Sequence, residues 1–409
     1  MVYYTPIGKN YILKLMSKNM KVAILGIDGY IGWALALRLI RKGHQVVGAD
    51  SLYTRMRVRE VGSQSVTPIE TMENRIKIIR EKTGENIEFF QGDVNDPEFM
   101  YSFVEKTKPD AFVHLAEQRS APYSMIGLKQ ARETLIQNMG GTINLVYAMK
   151  DIVPNAHLLK LGTMGEYGTP NIDIPEGFFT IEYNGRKDTL PFPKSAGSWY
   201  HWSKVHDTNN LMFANRVWKL RITDVMQGVV YGTRIPEITD TGLFTRFDLD
   251  EVWGTALNRF CTQAVLGLPV TPYGKGDQRR GFLSLEDAVS CLMIGLEKPP
   301  ADGEYRVYNQ FDQHYSVNEL ANIVKERGEK VLGRDVHIER VENPRVEMDQ
   351  HYYNPENKKL KTMGYVPVGD LRKDIDSILM DVDRFRERAE QVKSAIAPKT
   401  FWKKSHGLH

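Results

Sequence analysis

Residues 20–50 constrain the fold more than any other stretch of the chain. The apolar run 20–25 leads into Gly26-Ile-Asp-Gly29-Tyr-Ile-Gly32, and a helical pattern follows from Trp33 to Arg41. Gly43 stops that helix, and a second apolar run from Gln45 ends at Asp50. Strand, glycine turn, helix, strand is one βαβ unit. Such a unit must place its two strands parallel and next to each other in a sheet.

The rhythm continues downstream. Short strands are expected at Ile87–Gln91, Ala111–Leu115, His157–Leu161, Arg221–Gln227 and Glu304–Tyr308, with helices between them at Glu70–Lys82, Pro97–Lys106 and Gly141–Met149. Alternating strands and helices predict an α/β, doubly wound parallel sheet of the Rossmann type. The segment 169–198 breaks the rhythm. Asn184-Gly185 between two strand-like runs predicts an inserted β-hairpin. From about residue 233 the pattern is mixed, with helices at Thr255–Leu266, Leu285–Leu296, Val317–Arg327 and Asp370–Glu390. The expected organisation is an extension over 1–19, a dinucleotide-binding domain over 20–232 and a smaller mixed α/β substrate domain over 233–409. Residues 281–310 are expected to pack back on the first domain.

Composition narrows the function classes. The net charge of +3 over 409 residues, without a block of like charges, predicts neither a nucleic-acid nor a membrane partner. No run of eighteen apolar residues occurs, and the apolar stretch near the N-terminus is broken by Lys14, too short for a signal-peptide core. Cys261 and Cys291 resemble no zinc or redox motif, so no metal site is expected. Two buried thiols in a reducing cytoplasm fit them best.

The glycine turn carries the first chemistry. It lets the backbone pass close to a pyrophosphate and aims free amides and the positive helix end at it. Gly26, Asp28, Gly29, Tyr30, Ile31 and Gly32 are the candidate contacts. Asp50, at the end of the second strand, suits the adenosine ribose hydroxyls and repels a 2′-phosphate, which favours NAD over NADP. A turn cap is the alternative use of Asp50, and Arg55 nearby is a group that rescues NADP binding in some proteins. Asp93 and Val94 end the next strand on the adenine side, and Leu115 ends the following one near the nicotinamide.

The second chemistry is Tyr200-His-Trp-Ser-Lys204. Positions four apart share one helix face. A tyrosine loses its proton near pH ~10. An adjacent ammonium and a positive nicotinamide ring are expected to lower that value, and lowering it by about three units corresponds to roughly 4 kcal/mol. The phenolate would then take a proton from a sugar hydroxyl, with Thr163 orienting the same hydroxyl. His201 is either a packed helix residue or a group that moves a second proton.

With these residues in view, the chain resembles the UDP-sulfoquinovose synthase family of extended short-chain dehydrogenases/reductases, from about Lys21 to Tyr353. The stretches that carry the resemblance include Glu117–Met125, Leu161–Asp173, Tyr200–His206, Gln227–Gly232, Gly254–Phe260 and Asn343–Glu347. Met226 departs from the family, which more often has asparagine there. The resemblance implies that UDP-glucose and sulfite give UDP-sulfoquinovose and water. It implies Thr163, Tyr200 and Lys204 as the oxidation machinery, His201 as a proton carrier, and a homodimer. It also implies that Arg119, Gln227, Asn258, Arg280 and Arg345 hold the substrate. Sugar 4,6-dehydratases are similar too, but carry Asp-Glu after the catalytic threonine, where Met164-Gly165 stand here. Glu166 follows one position later, as a partial substitute or a structural residue. UDP-hexose 4-epimerases share the glycine turn and the Tyr-Lys pair and remain the alternative reading; a dinucleotide-sensing regulator usually lacks that pair.

Overall fold

The computed structural model describes residues 19–346 and 352–403. Its strands are β1 (Lys21–Leu25), β2 (Gln45–Asp50), β3 (Ile87–Gln91), β4 (Ala111–His114), β5 (His157–Thr163), β6 (Phe178–Tyr183), β7 (Arg186–Pro191), β8 (Arg221–Gln227), β9 (Val229–Tyr231), β10 (Arg279–Ser284), β11 (Tyr305–Gln310) and β12 (Gln313–Ser316). Seven of them form one sheet in the order β11-β8-β5-β4-β1-β2-β3. Every pairing in it is parallel, so the architecture is the doubly wound Rossmann arrangement. The chain steps outward from β1 to β3 and then returns to the other side of β1 with β4. That reversal opens a crevice at the carboxyl ends of β1 and β4, where sheets of this kind bind ligands.

Both faces of the sheet are covered, which is why β1 and β4 read as unbroken apolar runs. Val22, Ala23, Ile24 and Leu25 have no exposed surface. The helices Tyr30–Arg41 and Leu285–Glu297 close one face and share a cluster around Ile24, Leu35 and Leu292. The helices Pro97–Thr107, Leu128–Ile152 and Trp199–Trp218 close the other around Phe112, Phe103 and Leu145. Residues 281–310 thus contribute a helix and the outermost strand, β11, to this layer.

A second core lies beyond. The helices Ala256–Leu266, Val317–Leu332 and Leu371–Arg384 pack around Phe260, Val324 and Ile378. A small sheet sits beside them, with β10 parallel to β9 and antiparallel to β12. β6 and β7 form a separate antiparallel hairpin. Its turn residues Asn184 and Gly185 have φ of 51° and 72°, the paired positive values of a type I′ turn. The base of the hairpin docks through Phe179, whose ring centroid is 5.4 Å from that of Phe192.

Several helices differ from their expected spans: the one expected over Asp370–Glu390 is two, Leu371–Arg384 and Arg386–Gln391, and the one from Val317 runs on to Leu332. The helix after the glycine turn begins at Tyr30 rather than Trp33. The helix expected over Gly141–Met149 runs from Leu128 to Ile152. Among the described residues no helix is long and apolar enough to cross a membrane. Residues 1–18 of the expected extension and Glu347 lie outside the described residues.

Candidate active site

The crevice is built first by glycines. Gly26 has a φ of +87°, and a Cβ there would lie 2.7 Å from the carbonyl carbon of Leu115. A Cβ on Gly32 would lie 2.3 Å from the carbonyl oxygen of Gly26. Only glycine lets the turn, the first helix and the end of β4 meet so closely. The helix Tyr30–Arg41 has Gly29 at its N-cap and no side-chain cap, which leaves first-turn amides to meet an anion. The crevice is lined by Gly26, Asp28, Gly29, Asp50, Asp93, Val94 and Leu115, from four strand ends. These residues fit a dinucleotide.

Asp50 accepts hydrogen bonds from Leu52 N (2.7 Å) and Asp28 N (2.9 Å). Burial, then the neighbouring Asp28 charge, push its carboxyl up to about 6 against those two amides. It is therefore largely ionised at neutral pH, with lone pairs left for ribose hydroxyls. Asp93 caps its own turn by accepting from Asn95 N at 2.9 Å.

One sequence expectation needs correction here. Arg55 does not line the crevice. Its Nε and Nη2 donate to Asp28 at 2.7 and 2.6 Å, and Nη2 also donates to Glu70 O. Asp28 is 3% exposed and needs this pairing, which Arg75 completes at 3.0 Å. Arg55 thus holds the glycine turn instead of offering a site for a 2′-phosphate. The Tyr30 side chain donates to Gly232 O at 2.6 Å, so the expected cofactor contacts of Tyr30 and Ile31 fall to their backbone amides in the first turn of the helix. Arg57, Arg246 and Trp253 line the crevice as well. Sequence reasoning missed them because no spacing marks them: Arg57 is 2% exposed and stacks on the Tyr53 ring at 3.8 Å.

Arg119 stands at the same crevice. It pairs with Asp248, whose other partner is Arg246, and lies 5.5 Å from the Trp253 ring centroid. Asn258 donates to Asp248 O at 3.1 Å, so Arg119 and Asn258 meet at one residue. Gln227, at the end of β8, donates to Gln310 and lies in register with Thr163.

Thr163, Tyr200, His201 and Lys204 converge at the end of β5. Thr163 N donates to Glu166 Oε1 at 3.1 Å, and Thr163 Oγ1 accepts from Gly165 N at 3.2 Å. The hydroxyl hydrogen of Thr163 is left to point at a ligand. Glu166, fully buried, also binds Lys194 at 2.5 Å and Thr208 at 3.0 Å. Its oxygens are thus engaged by the fold, which favours the structural of its two readings. Ser198 caps the helix that carries Tyr200, accepting from His201 N at 3.2 Å, and Tyr200 N donates to Ser124 Oγ at 3.1 Å.

His201 lies beside Tyr200, ring centroids 5.0 Å apart, with Nδ1 3.0 Å from Ser198 Oγ. Its ring covers Gly165: a Cβ there would lie 2.4 Å from Nε2. Burial, then Arg280 and Arg345, pull its imidazolium down to about 3, so the ring is neutral at physiological pH. Met226 is fully buried in the apolar cluster of Met164 and Tyr167, where an amide would lack such packing.

Lys204, one turn along the helix from Tyr200, has partners of its own. Lys204 is buried, ion-paired to Glu117 and hydrogen-bonded to Leu161 O. Burial lowers its ammonium, opposed by Asp207 and Asp224. Burial and then Glu166 hold the Tyr200 phenol above its ordinary value, eased by Lys160 and Arg119. Within the chain, burial and Glu166 thus oppose ionisation of the phenol, and the positive nicotinamide ring expected beside it would act against them.

Comparison with known proteins agrees with this geometry. The NAD dependent epimerase/dehydratase family matches residues 22–309. The UDP-sulfoquinovose synthase of Sulfolobus acidocaldarius is 49% identical over 386 residues, covering 94% of this chain and 98% of the relative. The chloroplastic UDP-sulfoquinovose synthase of Spinacia oleracea is 47% identical over 391 residues, covering 95% and 80%. Among solved structures, the UDP-glucose 4-epimerase of Thermotoga maritima with UDP-glucose superposes with a TM-score of 0.68 at 20% identity, covering 90% and 99%, a likeness of fold. The chain belongs to the NAD dependent epimerase/dehydratase family, and within it to the UDP-sulfoquinovose synthases.

Proposed function

We propose that this chain joins sulfite to UDP-glucose to form UDP-sulfoquinovose, with NAD bound throughout. The observation that carries the reading is the meeting of Thr163, Tyr200 and a neutral His201 at the end of β5, with Gly165 clearing space for the imidazole. When bound, NAD supplies the acceptor for the C4 hydrogen of the glucosyl ring and later returns it. Thr163 orients the O4 hydroxyl, and Tyr200 takes its proton. The carbonyl at C4 acidifies the C5 hydrogen, and His201 Nε2 removes it as a proton. His201 passes that proton to the leaving hydroxyl as the C6–O bond breaks, so that water departs and a double bond remains between C5 and C6. The sulfur lone pair of sulfite adds to C6, C5 takes a solvent-derived proton through His201, and Tyr200 returns its proton to O4. Atoms balance as UDP-glucose, sulfite and a proton giving UDP-sulfoquinovose and water.

Arg280 and Arg345 are suited to the diphosphate, since guanidinium groups pair with phosphate oxygens. Their charge depresses His201 in the free protein. An anionic substrate offsets that charge and restores basicity to the imidazole when it is needed. Arg119, Gln227 and Asn258 complete the substrate side in this reading.

A homodimer is part of the same proposal. The packed helices Leu128–Ile152 and Trp199–Trp218 expose Ile136 (57%), Phe213 (54%) and Val217 (50%), an apolar face suited to a second copy. Cys261 and Cys291 are buried and unpaired, which supports a reducing compartment, the cytoplasm.

Purified protein with UDP-glucose, read by the mass of the nucleotide sugar with and without sulfite, tests the reaction. Conversion to a sulfonated nucleotide sugar only when sulfite is present is expected. Epimerised UDP-hexose formed equally with and without sulfite would favour the 4-epimerase alternative.

A further inference from the structure

A group of buried charges lies behind the catalytic residues, and the reaction above assigns it no task. Lys160 stands in the middle of β5 with no exposed surface. Its ammonium lies 3.8 Å from Glu166 Oε1 and 3.7 Å from Asp224 Oδ1, and makes no hydrogen bond. Burial pulls such an ammonium toward its neutral form, but Asp224, Glu166 and Asp207 more than offset this and hold it charged. Gly162 makes the arrangement possible. A Cβ there would lie 2.8 Å from Asp224 Oδ1 and 2.9 Å from Glu166 Oε1, displacing both carboxylates. Thr208, one turn beyond Lys204 on the catalytic helix, bonds both as well, at 3.0 Å to Glu166 and 2.7 Å to Asp224.

This group meets the reacting residues at two points. Glu166 holds the backbone of Thr163. Its charge also reaches Tyr200, where it opposes ionisation, while the ammonium of Lys160 favours it. Lys204, the cation that the sequence spacing assigns to that task, has its own charge answered by Glu117. The charged groups that act on the phenol are therefore Lys160 in β5, Glu166 just after it and Arg119 after β4, while Lys204 lies one turn along its own helix.

We propose that Lys160 is a positioning residue for the proton step at O4: it cancels the field of Glu166 at Tyr200, so that the phenol can ionise beside the bound cofactor. The inference rests on the role given above to Tyr200. It goes further in naming a cation outside the Tyr-x-x-x-Lys pair, on a different element. A buried ion pair kept only for stability would be a weak device, since apolar replacements often do as well.

The test is an ultraviolet tyrosinate titration of the NAD-loaded protein, with the same titration of Tyr200→Phe subtracted. It needs no sugar substrate, so it still decides the role of Lys160 if the proposed reaction is wrong. Lys160→Met is expected to move the Tyr200 titration upward by about one pH unit, and Glu166→Gln to move it downward by a similar amount. Lys160→Arg should leave it in place, and the double variant Lys160→Met/Glu166→Gln should return it close to the parent. A folded, NAD-binding Lys160→Met whose Tyr200 titrates as in the parent overturns the proposal. If Lys160→Met does not fold, Glu166→Gln decides alone, and the absence of a downward shift overturns it.

Discussion

Tyr200→Phe is expected to lower turnover by about 10³–10⁴-fold, roughly 4–5 kcal/mol of barrier, at the upper end of what one positioned acid–base group contributes. The substitution removes one oxygen and leaves a ring of the same shape beside His201. Nucleotide-sugar and NAD binding should therefore stay within a few-fold of the parent. The loss should appear already in a single turnover, as absent near-ultraviolet absorbance of the reduced cofactor. A variant that still reduces its cofactor on adding UDP-glucose would mean that another group takes the O4 proton. Thr163→Val serves as the graded comparison. It removes a hydroxyl that orients but does not carry the proton, so its deficit should be smaller.

Gly32→Ala has the second largest expected effect, and it acts on the cofactor. The added carbon would stand 2.3 Å from the carbonyl oxygen of Gly26. Both atoms are tied to backbone, one to the turn and one to a helix with no exposed surface at Trp33 and Ala34. Neither can move without opening the crevice. Overpacking of this kind costs about 1–3 kcal/mol or more in stability. Displacing the turn also removes the amides that meet the pyrophosphate. NAD affinity is expected to fall by at least about 100-fold, near 3 kcal/mol, as read by calorimetric titration. Gly29→Ala should be milder, because its Cβ would lie 3.1 Å from the same oxygen. Equal NAD affinity in Gly32→Ala and the parent would contradict the account of the turn.

Most of the parallel sheet was legible because its strands are buried on both faces and read as unbroken apolar runs between turns. The hairpin was legible from Asn184-Gly185, whose two positive φ values few other pairs adopt. The long helix Leu128–Ile152 was not. Gly140 and Gly141 look like a helix break, yet they sit mid-helix where a Cβ would lie 2.5 Å from Asn95 Oδ1 and 2.7 Å from Val94 Cγ2. They are there for close approach, and tertiary packing overrides their poor helix propensity. The small sheet of β9, β10 and β12 escaped notice because its strands have three, six and four residues and a mixed pattern.

The candidate site divides in the same way. Local spacing marked Gly26, Gly29, Gly32, Tyr200 and Lys204, because each motif lies within one turn or one helix. It did not separate Arg55, bound to Asp28, from Arg57, which lines the crevice. Nor did it show that Lys204 meets Glu117, since that pair joins residues 87 positions apart. Lys160 left a signal that was open to reading. A lysine inside the apolar run His157-Leu-Leu-Lys160-Leu must be buried with partners.

The most direct measurement is hydrogen exchange during turnover in deuterium oxide, read by magnetic resonance of the nucleotide sugar. The account predicts that UDP-sulfoquinovose formed in this solvent carries deuterium at C5 and keeps its original hydrogen at C4. It also predicts that His201→Ala makes no C5-labelled species. Product without deuterium at C5, or His201→Ala that exchanges C5 as fast as the parent, would contradict it.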